Sequence, residues 1–154
     1  MKFWPFHGLK QNLTEKKRYD TDIDIKPLGG VFSKSLHIFV IDTGNSNALN
    51  FTFKALQSPQ YNTHRFGIFF TAVPRHADLL IIAGPVNRKM VEPLKETINQ
   101  MPNQFGILII NGCKEYDDYS DFIDKKHIVG KIDFLPTPDE ILAVLLKVAN
   151  RGAK

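Results

Sequence analysis

Apolar positions along the chain fall into short runs that alternate with amphipathic stretches, and this alternation predicts an α/β fold. The runs at 66–72 and 79–83 are too short for helices, rich in Phe and Ile, and nearly free of charge. That is the pattern of strands buried on both faces, which are usually parallel. Between them Pro74 removes a backbone donor and fixes its own φ, so the chain must turn within 73–78. Gly84 and Pro85 stop the second run. A helical pattern follows from Asn87, with Met90, Leu94 and Ile98 on one face of 89–100 and Pro102 closing it. Upstream, SLHIFVID at 35–42 reads as the first strand, 43–47 as a small polar loop around Gly44, and 48–56 as a helix. Downstream, 105–110 is another buried strand and 128–135 a weaker last one. Thr137-Pro138-Asp139-Glu140 spells a helix start, with Thr as N-cap, Pro at the first helical position and Glu three residues after the cap. Ile141, Leu145 and Val148, flanked by Leu142 and Val144, form that helix's apolar face.

The order of elements predicts a single-domain, three-layer, flavodoxin-like α/β fold. Its sheet is mainly parallel, of about four to five strands, with helices on both faces and functional loops at the strands' carboxyl ends. A chain of 154 residues makes one such domain, at 34–150, preceded by an irregular arm at 1–33. The arm lacks a helical or strand period and combines Phe3, Trp4, Phe6 and Phe32 with Lys16-Lys17-Arg18 and Gly29-Gly30. Exposed Trp and Phe are costly, so the arm either lies across its own domain or docks on a partner, which makes Trp4 and Phe6 candidate interface residues.

Composition narrows the classes. The chain is 43% hydrophobic and 23% charged, and no apolar run reaches the roughly 18 residues that span a bilayer. Its first residues lack an apolar export segment and a small-residue cleavage site, so a cytoplasmic location is expected. The net charge of +4 is dispersed, without a basic stripe interleaved with aromatics, and nucleic-acid binding is not expected. A single cysteine, Cys113, excludes an internal disulfide and any four-thiolate metal cage made by this chain alone.

Candidate chemistry is sparse. Asp20, Asp22 and Asp24 alternate as in a calcium loop, but Ile25 and Val31 stand where the glycine and the bidentate glutamate are required. Gly44 lacks the lysine and spaced glycine of a phosphate loop. The acids of 115–124 read as a solvated face, which His127 and Asp124 do not turn into a metal site. No G-x-S-x-G elbow and no carboxylate pair points to a catalytic role for the chain by itself. Cys113 falls at the carboxyl end of the strand 105–110, where α/β proteins place ligands.

Five short motifs point further: Arg65-Phe66-Gly67; Pro74-Arg75-His76-Ala77-Asp78 with the apolar run and glycine after it; Asp42-x-Gly44; Gly112-Cys113; and Pro136-Thr137-Pro138. In order and spacing, over 35–148, the chain resembles the small, cluster-bearing subunit shared by respiratory complex I and the membrane-bound energy-converting [NiFe] hydrogenases, including the formate hydrogenlyase type. The resemblance implies one [4Fe-4S] cluster on four cysteines. Here the first two places hold Ser46 and Leu49, the third is Cys113, and the fourth is deleted where Asp133-Phe134-Leu135 runs straight into Pro136. The acid that usually follows the second cysteine is Asn50, and Lys114-Glu115-Tyr116-Asp117-Asp118 replaces a glycine-rich stretch after the third.

Serine ligates iron weakly and leucine offers no donor atom, so no cofactor and no metal are expected. The resemblance thus implies a cluster-less structural subunit. It would dock on a hydrogenase-like or complex I-like large subunit through Ser46, Arg75, His76 and Cys113, with Trp4 and Phe6 of the arm reaching a neighbour. Its place would be peripheral, on the cytoplasmic face of the inner membrane. Two alternatives stay open: an electron-transfer subunit whose cluster on Cys113 and Ser46 is completed by partner ligands, and a soluble module holding a small ligand or anion at Gly44, Gly84 and Gly112.

Overall fold

The computed structural model describes residues 19–110 and 123–151; Trp4, Phe6, Gly112 and Cys113 lie outside them. Among the described residues, five strands form one sheet in the order β2-β1-β3-β4-β5: β1 (Leu36–Asp42), β2 (Ile68–Phe70), β3 (Leu79–Ala83), β4 (Gly106–Ile110) and β5 (Ile128–Ile132). Every pairing is parallel, as the apolar runs predict. All five residues of β3 and of β4 are buried, because both faces of the sheet are covered. On one face Leu36, Ile38, Leu79, Ile81, Leu108 and Ile110 meet α1 (Asn47–Leu56) and α3 (Pro138–Val148). On the other, Leu80, Ile82, Ile107 and Ile109 meet Leu94 of α2 (Val91–Gln100) and Met101 just after it. This is the flavodoxin-like three-layer arrangement.

Three elements differ from the sequence pattern, each for a local reason. The run 66–72 yields only three strand residues. Thr63–Phe66 closes a 3-10 turn, ended by Gly67 at φ 66°, and β2 is an edge strand with Phe69 and Phe70 half-buried. The strand 128–135 stops at Ile132, leaving Phe134 and Leu135 46% and 47% exposed. The helical stretch from Asn87 begins as a 3-10 turn (Arg88–Met90), whose Lys89 N–H donates to the Asn87 side chain, before α2 proper.

Residues 19–28 run along the outer edge of β5 and the end of α3. The Lys26 N–H donates to the Val129 carbonyl (2.8 Å), the Leu28 N–H to the Val148 carbonyl (2.9 Å), and Ile25 is 5% exposed. The described part of the arm therefore packs on its own domain and covers a sheet edge that would otherwise invite pairing. It also explains why α3 is buried almost all round: sheet, α1 and arm enclose it. α3 starts with the capping box read from the sequence, Thr137 N–H to Glu140 Oε2 at 2.7 Å and Glu140 N–H to Thr137 Oγ1. Thr137→Ala should lower stability by about 1 kcal/mol in urea unfolding. No loss would mean that the box does not hold this helix start.

Candidate functional site

A parallel sheet gathers the chain's exits from its strands at one edge, and ligands of such folds bind where the connections diverge. Here that point lies between β1 and β3, since the chain passes from β1 to β2 on one side and enters β3 on the other. The crevice is a cleft of about 640 Å³ lined by Gly44, Pro85, Val86, Asn87, Arg88 and Val91. Two loops are locked together beneath it. The buried Thr43 hydroxyl lies within hydrogen-bond distance of the Ala83 (3.1 Å) and Gly84 (2.9 Å) carbonyls. Gly84 sits at φ 90°, where an added Cβ would come within 2.6 Å of the Asn45 Cα.

Asp42, the last residue of β1, organises the loop after it. Oδ1 accepts from the N–H groups of Gly44 and Asn45, both at 3.0 Å, and Oδ2 from the Asn50 amide at 3.3 Å. Partial burial works to raise the Asp42 pKa, but the hydrogen bonds from Asn45, Gly44 and Asn50 outweigh it and hold the carboxyl below the usual range. A depressed folded-state pKa contributes stability above the unfolded value near 3.8, and this is lost as pH falls through the folded value. The melting temperature of the wild type should therefore exceed that of Asp42→Asn by a few degrees at pH 7, with the gap narrowing below pH ~4. A gap independent of pH would remove the carboxylate from this role.

The structure separates the site residues read from the sequence. Ser46 is exposed and is the N-cap of α1, without a side-chain capping bond. Leu49, one turn further, is 1% exposed and belongs to the core between sheet and helices with Phe53 and Leu56. Arg75 and His76 are exposed in the connection that enters β3 (3-10 turn Pro74–His76), on the side of the strand starts, so they do not meet Ser46. The sequence reading missed Asp42 and Asn50 as a clasp, although Asp-Thr-Gly-Asn is a turn signal of the kind in which an Asp side chain caps its own loop. It also missed Arg88 at the cleft and the exposure of Phe134 and Leu135.

The two described positions, Ser46 and Leu49, offer no thiolate to the [4Fe-4S] group that the resemblance implies. One cluster position offers a hydroxyl turned to solvent and the next a hydrocarbon inside the core. Among the described residues, no group of three or more His, Cys, Asp or Glu side chains is placed to hold a metal ion, and no helix is long and apolar enough to cross a membrane.

The architecture defines the class: a single flavodoxin-like α/β unit with a cleft at the strand exits. Comparison with known proteins then gives the family. An uncharacterized protein of Methanocaldococcus jannaschii, MJ0516, is 31% identical over 131 residues, 77% of this chain and 86% of that protein. The probable membrane-bound hydrogenase subunit mbhJ of Pyrococcus furiosus is 30% identical over 102 residues, 66% of this chain and 60% of the relative. An NADH-quinone oxidoreductase subunit of Mycolicibacterium vanbaalenii is 30% identical over 106 residues, 63% of this chain and 58% of the relative. The chain thus spans under two thirds of these two named relatives. A chain from the membrane-bound sulfane sulfur reductase, an archaeal respiratory membrane complex, shares the fold with a TM-score of 0.59 at 22% identity, over 77% of this chain and 70% of that one. No family model matches. The chain belongs to the family of small subunits shared by membrane-bound hydrogenases and NADH-quinone oxidoreductases.

Proposed function

We propose that the chain is a structural subunit of a hydrogenase-like or complex I-like respiratory membrane complex, standing in the small subunit's place without carrying a cluster. The observation that carries this reading is the pair Ser46 and Leu49, one exposed and one 1% exposed in the core, at the positions of the family's first two cluster cysteines. Phe134 and Leu135, beside the place of the deleted fourth position, are on the surface. Exposed apolar side chains at a strand exit provide a contact for a large partner subunit. The docking face is the carboxyl edge, with Ser46, Phe134 and Leu135, whereas Arg75 and His76 belong to a different surface. The assembly lies on a membrane's cytoplasmic face, with this chain peripheral.

Affinity purification of the tagged chain from its native host in mild detergent tests this. A hydrogenase-like large subunit and membrane subunits should be recovered in stoichiometric amounts, and recovery of the chain alone would contradict the reading. The cleft at Gly44 and Arg88 favours one competing reading, a small-ligand module. In a thermal-shift screen of nucleotides and anions that reading requires a shift that Arg88→Ala abolishes, whereas the subunit reading expects none.

A further inference from the structure

The opposite edge of the sheet has its own chemistry. Because all strands are parallel, the connections that enter them converge there, and four of the five deliver an exposed cation: Lys34 before β1, Arg65 before β2, Arg75 before β3, and Lys125 with Lys126 before β5. His64 and His76 flank them. Strands lie about 4.8 Å apart, so five of them spread these charges over roughly 19 Å along one rim. The acids of this rim among the described residues are largely engaged. Asp78 accepts from the His37 N–H at 2.8 Å, and Asp124 is paired with Lys126 at 2.7 Å. Asp20 lines a separate cleft beside Lys147 and Arg151. Among the described residues, large exposed apolar side chains are concentrated elsewhere: Phe51 on α1, and Phe134 and Leu135 after β5, with Val73 alone in a connection that enters a strand.

A protein interface of ordinary strength needs an apolar, desolvated centre, and among the described residues this rim offers only Val73 toward one. A layer of anionic headgroups needs only an array of cations held within a Debye length of it. We propose that the strand-entry rim carrying Lys34, Arg65, Arg75 and Lys125 docks on the anionic headgroups of a lipid bilayer. This leaves the carboxyl edge, at the other end of the sheet, free for the partner subunit. The proposal draws on the subunit reading only for bringing the chain near a membrane, and the following test uses no partner, so either can fail alone.

The full chain is sedimented with large unilamellar vesicles of phosphatidylcholine, with or without about 30% phosphatidylglycerol. Binding should require the anionic lipid and disappear in about 0.5 M salt. Arg75→Glu with Lys125→Glu should weaken it at least tenfold, from the contribution of each basic residue near a charged surface. The control pair Lys54→Glu with Lys89→Glu makes the same charge change away from the rim and should leave binding within about twofold. All these side chains are exposed, and circular dichroism and melting temperature confirm folding of each variant. Equal loss in both pairs, or binding to phosphatidylcholine alone, would overturn the proposal. So would capture on polyglutamate-coated beads without vesicle binding, since the rim would then serve an acidic protein.

Discussion

Gly84→Ala should lower the unfolding free energy by about 3 kcal/mol, from enforced positive φ together with overpacking against a neighbouring backbone. For a domain of this size that is a fall of roughly 10 °C in melting temperature. The added methyl meets the main chain of Asn45, at 2.6 Å from its Cα, and not a flexible side-chain tip, so relief requires the loop after β1 to move. That loop is tied to Asp42 through two N–H donors and to the Gly84 carbonyl through Thr43, so it cannot move without breaking them. The cleft lined by Gly44 and Pro85 should deform in the same variant. Thermal and urea unfolding measure the effect, and a loss under about 1 kcal/mol would mean the two loops are not locked as described.

The second large effect is at Leu49. Leu49→Ala should cost about 3 kcal/mol, the transfer loss of a fully buried leucine plus the cavity it leaves among Phe53, Leu56 and α3. Leu49→Cys should cost less, since a thiol fills part of that volume as a small hydrophobe. The double variant Ser46→Cys with Leu49→Cys restores the family's first two sulfurs to the sequence but not the deleted fourth. After anaerobic reconstitution with iron and sulfide it should return colourless from desalting. A brown protein that retains iron would show that position 49 is free to leave the core, and with it the main support of the cluster-less reading would go.

Most of the fold could be read from the chain because its signals were redundant. β3 and β4 are apolar at every position and bounded by Gly or Pro, so burial, length and ends agree. The start of α3 carried cap, proline and glutamate together. Boundaries failed where an apolar residue served a turn or the surface instead of a strand. Phe66 packs edge-on against Tyr19 from a 3-10 turn, and Phe134 and Leu135 continue an apolar run past the end of β5. Nothing in the hydrophobic period distinguishes these residues from strand members.

The candidate site was half legible. Spacing located Ser46 and Leu49 on the loop and helix after β1, but not that one faces out and the other in, which depends on how α1 lies on the sheet. That Arg75 and Ser46 lie at opposite ends of the sheet was not legible, because motif order along the chain does not say which end of a parallel sheet a connection occupies. Asn50 gained its meaning only from geometry. Its amide donates to Asp42 at 3.3 Å, where an acid would set two carboxylates against each other.

The central claim is that this family member takes its place in a complex without holding iron. It is tested most directly by iron and acid-labile sulfide analysis of the intact complex, purified anaerobically with wild-type chain and with Cys113→Ser. The account predicts identical iron and sulfide contents and identical electron paramagnetic resonance spectra for the two. A deficit of about four irons and four sulfides per complex in the variant, with loss of one cluster signal, would contradict it.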